Sequence, residues 1–320
     1  MIVNKDRMKI FAGSSSRKLA KKIAEKLEIE LSGVQTTRFA DGEIYVKPER
    51  SVRGCKVFII NSTSEPVNES IMELLIMTDA LRRASAERIV AVIPYYGYAR
   101  QDRIATTREP ITAKLVANLL TEAGATRVVC MDFHARQVQG FFDIPADHME
   151  ALPIFVSYFK KYNFAPEEVV VVSPNAGGLK WARGLADWLH TSMAIIDRRD
   201  DDKGKSEIAG IIGEVKGKRA IVIDDMINTG KTMCEAAEML LKEGVIEIYC
   251  CATHGIFSED AVERLKEAPF KEVVITDTIE EPENRKFDNL TILSTDSLFA
   301  ETIKRITEDR SVSDLFIQKE

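Results

Sequence analysis

No stretch of this chain approaches the roughly 18 apolar residues in a row that a membrane span requires. The N-terminus, MIVNKDRMKIFAG, lacks the continuous apolar core of a signal peptide, so neither membrane insertion nor export is expected. Cysteine is scarce: Cys55, Cys130, Cys234, Cys250 and Cys251 show no CxxC spacing, and several sit in aliphatic runs where a thiol serves as a small hydrophobe. The cytoplasm is the compartment that this usage suits. A surplus of positive charge is missing as well. The formal net charge of -6 offers no general attraction to nucleic acid or to an anionic membrane, so any anion site must be a local gathering of Arg and Lys. Low-complexity linkers are absent too, although 320 residues with 45% apolar and 29% charged side chains suffice for two ordinary cores.

What is present is an alternation of short apolar runs with amphipathic segments, which predicts α/β layers built on mostly parallel sheets. Strands are expected at 9–12, 57–61, 89–94, 127–131, 169–173, 194–197, 220–224, 248–253, 272–276 and 291–294. Helical patterns cover 16–27, 67–84, 112–123, 178–189 and 233–243. A loose repeat runs through them. Residues 57–103 read strand, STSEPVNES loop, helix, strand and aromatic loop, while 220–258 read strand, DDMINTGKT loop, helix, strand and THGIFS loop. Two copies of one βαβ unit suggest duplicated domains, of which only the second keeps the acid pair Asp224 and Asp225. The domains are expected at 1–148 and 149–300, with 301–320 as a tail packing on the first.

The segment AIVIDDMINTGKT, residues 220–232, carries most of the chemistry. An unbroken aliphatic run suits a strand buried on both faces, and the loop after it opens a helix whose free amides attract phosphate. Two carboxylates beside such a cradle repel phosphate unless they grip sugar hydroxyls or a cation. A sugar phosphate with Mg2+ therefore fits better than a bare nucleotide tail. The run Gly230-Lys231-Thr232 is not a P-loop, because that motif needs a glycine where Asp225 stands.

The same segment resembles the phosphoribosyl-diphosphate (PRPP) motif of type I phosphoribosyltransferase folds. FADGEIYV (39–46), STSEPVNESIMELLIMTDALRRASA (62–86), IPYYGYARQDR (93–103), REPITAKL (108–115), DFHARQVQGFFDIPADH (132–148), THGIFS and SVSDLF resemble, in order and across nearly the whole chain, the ribose-phosphate pyrophosphokinase (PRPP synthetase) family. That resemblance implies two tandem phosphoribosyltransferase-like domains, each a mostly parallel sheet flanked by helices. It implies Mg2+-dependent transfer of diphosphate from ATP to ribose 5-phosphate, giving PRPP and AMP. The alternative function is a catalytically impaired relative with a regulatory or nucleotide-binding role. Assembly into homo-oligomers, commonly hexamers, with phosphate and ADP as effectors, is implied as well.

Residue by residue, Asp224 and Asp225 are expected to hold ribose hydroxyls or Mg2+, and Asn228, Thr229, Gly230, Lys231 and Thr232 to cradle the 5-phosphate. Arg100, Gln101 and Arg103 follow a strand within an aromatic loop and suit ATP phosphates, the arginines through their bidentate forks. Phe39, Asp41 and Glu43 are implied to reach the adenine of a neighbouring subunit. His134 stands just past a strand end, where imidazole can meet Mg-ATP, with Asp132 and Asn175 as further metal candidates and Asp143 and Asp147 read as structural caps. Arg198 and Arg199 are expected to stabilise the transferring group. Ser51, Arg53, Arg82, Arg83, Ser85, Ser311 and Ser313 match the family's effector site.

Several positions depart from the family pattern. Ile104 replaces a basic residue, Asn175 and Asn228 replace acids, and Lys231 replaces a small residue. A basic catalytic stretch reads Asp197-Arg198-Arg199-Asp200-Asp201, with Lys203 and Lys205 as spare cations nearby. Each neutralised acid removes charge that would hold Mg2+.

Overall fold

The computed structural model of the chain describes residues 7–200 and 206–316; Asp201, Lys203 and Lys205 lie outside them. The chain forms two units, Met1–Glu150 with Thr278–Glu280 and Ser294–Glu320, and Ala151–Asp277 with Glu281–Leu293. The chain therefore joins the first unit from Ser294, ahead of the 301 boundary drawn from sequence. No helix among the described residues is long and apolar enough to cross a membrane.

In the first unit, β1 (Met8–Ala12) is followed by α1 (Arg17–Lys26) and by a hairpin of β2 (Val34–Arg38) and β3 (Ile44–Pro48). Then come β4 (Lys56–Ile60), α2 (Val67–Arg83), β5 (Arg88–Ile93), α3 (Thr112–Ala123), β6 (Arg127–Met131) and β7 (Ala146–Met149). The sheet runs β1-β4-β5-β6-β7 with every pairing parallel. Its inner strands β4, β5 and β6 are mostly apolar after their first residue, as strands covered by helices on both faces should be. Val57, Ile59, Ala91 and Ile93 join the core under α2 and α3, while Ile10, Phe58, Ile60 and Val92, at alternate positions, are buried as well.

The second unit contains α4 (Leu152–Phe159), β8 (Val169–Ser173), α5 (Leu179–Leu189), β9 (Ser192–Asp200), β10 (Ser206–Ile212) and β11 (Arg219–Ile227). It continues through α6 (Lys231–Lys242), β12 (Glu247–Gly255), α7 (Ala261–Glu267), β13 (Glu272–Thr276) and β14 (Leu290–Leu293). The sheet order is β10-β9-β8-β11-β12-β13-β14, parallel except for β10 against β9. From β8 the chain moves outward to β9 and β10, then crosses back to β11 and moves the other way. The reversal lies between neighbours β8 and β11, and open α/β sheets bind ligands in the crevice beyond the strand ends at such a point. The first sheet keeps a single order from β1 to β7 and has no such reversal.

Helix α8 (Asp296–Thr307) returns to the first unit, where the Thr302 hydroxyl meets Met149 Sδ at 3.2 Å and the Thr307 hydroxyl meets Met8 Sδ at 3.5 Å. It buries Phe299, Ala300, Ile303 and Ile306, one face of a 3.6-residue period that is legible in the sequence but is not among the expected helices. The β2–β3 arm was not expected either. It is mostly half-exposed and polar, so it lacks the apolar run that marks a core strand.

Candidate functional site

The crevice between β8 and β11 is built from two short loops. After β8 comes Pro174-Asn175-Ala176-Gly177-Gly178 leading into α5; after β11 comes Asn228-Thr229-Gly230 leading into α6. β11 runs on through Asp224 and Asp225 to Ile227, and α6 begins at Lys231. Lys231 and Thr232 are thus the first helical residues, two positions earlier than the pattern suggested. Gly230 turns into the helix at φ 72, a left-handed conformation that is cheap only for glycine, and no side chain caps the helix start. The first amides of a helix have no intrahelical acceptor, so this end is open to an anion. The loop is pinned from outside by Ser258 N–H donating to Asn228 O at 3.0 Å and by Arg264 donating to Thr229 O. Arg264 lies far along the chain on α7, and no local motif announces it.

Asn175 does something that its position in the motif does not suggest. Its Nδ2 donates to Asp224 Oδ2 at 2.9 Å, while its Oδ1 accepts from Gly178 N–H at 2.9 Å. The side chain is a clip between the acid pair and the start of α5, and both ends need an amide. A Cβ on Gly178 would come within 2.9 Å of Ser173 Oγ and 3.2 Å of Asp224 Oδ1, so close approach explains that glycine. Asp225 is buried, and its backbone N–H donates to Asp224 Oδ1 at 2.9 Å.

Burial, and then the neighbouring charge of Asp225, push the Asp224 carboxyl up to about 7, against the opposing hydrogen bonds from Asp225 N–H and Asn175. Because the folded value lies above the unfolded one, the native state takes up a proton first as pH falls through about 7. The protein gains stability over that descent, down to the ordinary carboxylate range. Asn175→Asp should sharpen this dependence by adding a third carboxylate. The melting temperature should drop by several degrees relative to wild type at pH 8 and by less at pH 6, a ΔΔG of about 1–2 kcal/mol at most. Thermal unfolding in EDTA at both pH values checks this, and an equal drop at both would contradict it.

Strand β9 separates the two arginines read as one catalytic pair. Successive residues of a strand face opposite ways. Arg198 turns inward, its Nε donating to Pro174 O at 3.3 Å and its Nη2 to Glu235 Oε2 at 2.7 Å. Arg199 turns outward, 77% exposed, and pairs with Asp197 at 3.1 Å. The strand pairs with β10 as far as Asp200, longer than the expected 194–197. β10 itself was missed, since an edge strand needs no continuous apolar run. Glu235 was missed as well, although its i,i+4 spacing from Lys231 on one helix face was available.

In the first unit, the loops after β5 and β6 leave the same sheet edge and touch where Gln137 Nε2 donates to Asp102 Oδ2 at 2.7 Å. Arg100, Gln101 and Arg103 are exposed on the first loop, with the Thr112 hydroxyl donating to the Gln101 side-chain oxygen. A cavity of about 330 Å³ beside them is lined by Tyr95, Tyr98, Arg100 and Gln101 among others. His134 is half-buried on the second loop. Asp132 is buried at the strand end with its carboxylate 3.8 Å from His148 Nε2. Asp143 and Asp147, read as caps, instead pair with Lys114 at 3.2 Å and Arg127 at 2.6 Å.

Phe39, 56% exposed, packs edge-on against Tyr45 at the tip of the β2–β3 arm, and Asp41 accepts from Glu43 N–H at 3.1 Å to close the turn. Of the effector candidates, Arg83 pairs with Asp79 at 2.7 Å and Arg82 donates to Glu122 O at 2.8 Å. Gly54 N–H donates to Ser85 O at 3.0 Å, which joins the segment of Ser51 and Arg53 to that of Ser85. Ser311 and Ser313 hydroxyls meet at 3.0 Å, and nearby Asp309 reaches Arg88 at 3.7 Å.

No group of three or more His, Cys, Asp or Glu arranged for a metal occurs among the described residues. The pair Asp224 and Asp225 is nevertheless suited to Mg2+ of the kind that keeps its waters and arrives with phosphate, since that ion uses one or two carboxylates rather than a protein cage.

The comparisons with known proteins agree on one family and one fold. Residues 8–124 match the family model described as the N-terminal domain of ribose phosphate pyrophosphokinase, and 202–317 match the phosphoribosyl synthetase-associated domain. A ribose-phosphate pyrophosphokinase of Fusobacterium nucleatum is 56% identical over 315 residues, covering 98% of this chain and 100% of its own. That of Bacillus subtilis is 52% identical over 309 residues, with 97% of each chain covered. The crystal structure of phosphoribosylpyrophosphate synthetase from Mycobacterium smegmatis superposes with a TM-score of 0.90 at 41% identity, over 95% of this chain and 99% of its own.

Proposed function

The chain belongs to the ribose-phosphate pyrophosphokinase family and is a ribose-phosphate diphosphokinase, and from that premise we propose how its residues divide the reaction. The anomeric hydroxyl oxygen of ribose 5-phosphate forms a bond to the β-phosphorus of ATP, the bond from that phosphorus to the α,β-bridging oxygen breaks, AMP leaves with that oxygen, and the hydroxyl proton passes to solvent, with PRPP as the other product. Both reactants are polyanions. The protein's work is therefore positioning and charge neutralisation rather than covalent chemistry.

The 5-phosphate lies on the amides and side chains of Asn228 to Thr232 at the uncapped start of α6, and Asp224 and Asp225 take the ribose hydroxyls. Arg198 reaches the transferring group. Mg2+ held at the acid pair and at the ATP phosphates would neutralise charge on both reactants. Arg100, Gln101, Arg103 and His134 bind ATP. Phe39, Asp41 and Glu43 of a neighbouring subunit complete the adenine site, so the active form is a homo-oligomer, commonly a hexamer. Phosphate and ADP act at Ser51, Arg53, Arg82, Arg83, Ser85, Ser311 and Ser313. Work in the cytoplasm, beside ATP and reduced thiols, belongs to the same proposal.

The observation that carries this reading is the meeting of an acid pair and an open helix start at the point where the second sheet reverses order. Purified protein with ATP and Mg2+ is expected to form AMP only when ribose 5-phosphate is present, at a rate near the typical ~10 s⁻¹. ATP binding without AMP formation would instead identify a nucleotide-binding, regulatory relative.

A further inference from the structure

Glu235 has no part in the substrate contacts proposed above, yet two cations of the sugar-phosphate crevice converge on it. Its Oε2 accepts from Arg198 Nη2 at 2.7 Å, and its Oε1 lies 3.9 Å from Lys231 Nζ. The two contacts differ in weight. Lys231 is 65% exposed and its pairing is long, so water competes with it, whereas the Arg198 side chain is only 13% exposed. A guanidinium so shielded needs a counter-charge, and Glu235 is the carboxylate that meets it.

We propose that Glu235 is a positioning residue for the diphosphoryl transfer: it holds the Arg198 guanidinium beside the loop that follows β8, so that the remaining N–H donors are available to the transferring group. A guanidinium has five N–H donors in a rigid fork. The contacts to Glu235 and to the Pro174 carbonyl use two of them and come from two different elements, α6 and the β8–α5 loop. Two anchors on separate elements fix both the place and the plane of the fork. Rate depends steeply on such placement, because a preorganised donor is effective only where the charge develops. Glu235 stands one helical turn from Lys231 on the same face of α6, so the helix that opens on the sugar phosphate also holds the arginine.

This inference rests on the reading of Arg198 as the group that meets the transferring phosphoryl, and the test separates the two. Glu235→Leu removes the carboxylate, Glu235→Gln keeps one acceptor oxygen, and Arg198→Ala removes the guanidinium. Glu235→Leu is expected to lower kcat about 10- to 100-fold, part of the roughly 10²- to 10³-fold worth of a whole donor, with the KM for ribose 5-phosphate within about threefold. Glu235→Gln should recover part of that loss. In an Arg198→Ala background, adding Glu235→Leu should cost less than about threefold, because the residue then has nothing to position. Calorimetric binding of ribose 5-phosphate confirms that each variant is folded, and if the leucine variant fails to fold, the glutamine variant carries the same cycle. Unchanged kcat in the Glu235 variants, or losses that simply multiply with that of Arg198→Ala, would overturn the positioning role while leaving Arg198 in place. An unchanged kcat in Arg198→Ala would overturn the arginine's role, and with it that of Glu235.

Discussion

Replacing Asp224 and Asp225 together by alanine is expected to weaken ribose 5-phosphate binding about 100-fold or more, while ATP affinity stays within about twofold. Hydrogen bonds to charged groups contribute about 1.5–3 kcal/mol each, and the proposed site gives the sugar two such groups, so a loss near 3 kcal/mol is the lower bound of what the pair supplies there. The variant should not lose this affinity by unfolding. The two carboxylates repel each other, with burial and that repulsion holding Asp224 at about 7, so their removal relieves an electrostatic strain above that pH. Calorimetric titration with each ligand separately is the measurement. Equal weakening of both ligands in a folded variant would show that the acid pair does not belong to the sugar alone.

The second large effect concerns the two arginines of β9. Arg198→Ala should lower kcat about 10²- to 10³-fold, the range for losing one preorganised donor to a transition state, with a much smaller change in KM. Arg199→Ala should stay within about threefold, because that side chain is exposed on the opposite face and bound to Asp197. Arg198→Lys should fall between, since lysine keeps the charge but not the planar fork that spans Glu235 and the Pro174 carbonyl. Steady-state kinetics on the three variants decide the matter. A larger loss at Arg199 would mean that the strand turns over when substrate binds.

Several features of this protein follow from local sequence. The runs Val169–Ser173 and Glu272–Thr276 read as buried strands and are found at those bounds, because a strand covered on both faces shows as a nearly continuous aliphatic run. The helix at Thr112–Ala123 likewise follows its own periodicity and ends where Gly124 takes a left-handed turn at φ 115. The acid pair, the glycine of the phosphate loop and the resemblance to the ribose-phosphate pyrophosphokinase family were all legible without coordinates. Each rests on residues adjacent in the chain.

The tertiary structure decided what depends on distance across the chain. Asn175 reads locally as a neutralised metal ligand, and only its approach to Asp224, 49 positions away, makes it a clip that needs an amide. Arg198 and Arg199 are equivalent in the sequence, yet alternation along β9 puts them on opposite faces, and the packing of α6 on one of those faces sends Arg198 toward Glu235 and leaves Arg199 in solvent. The crevice itself comes from strand order, with β11 laid beside β8 rather than beside β10, which no local pattern encodes. Backbone propensity and hydrophobic period act over a few residues, so the sequence by itself determined the apolar core strands, most of the helices packed on them and the residue types of the site. The pairing of strands and the burial of charge are free energies of the whole fold, and they alone determined which of those residues face one another.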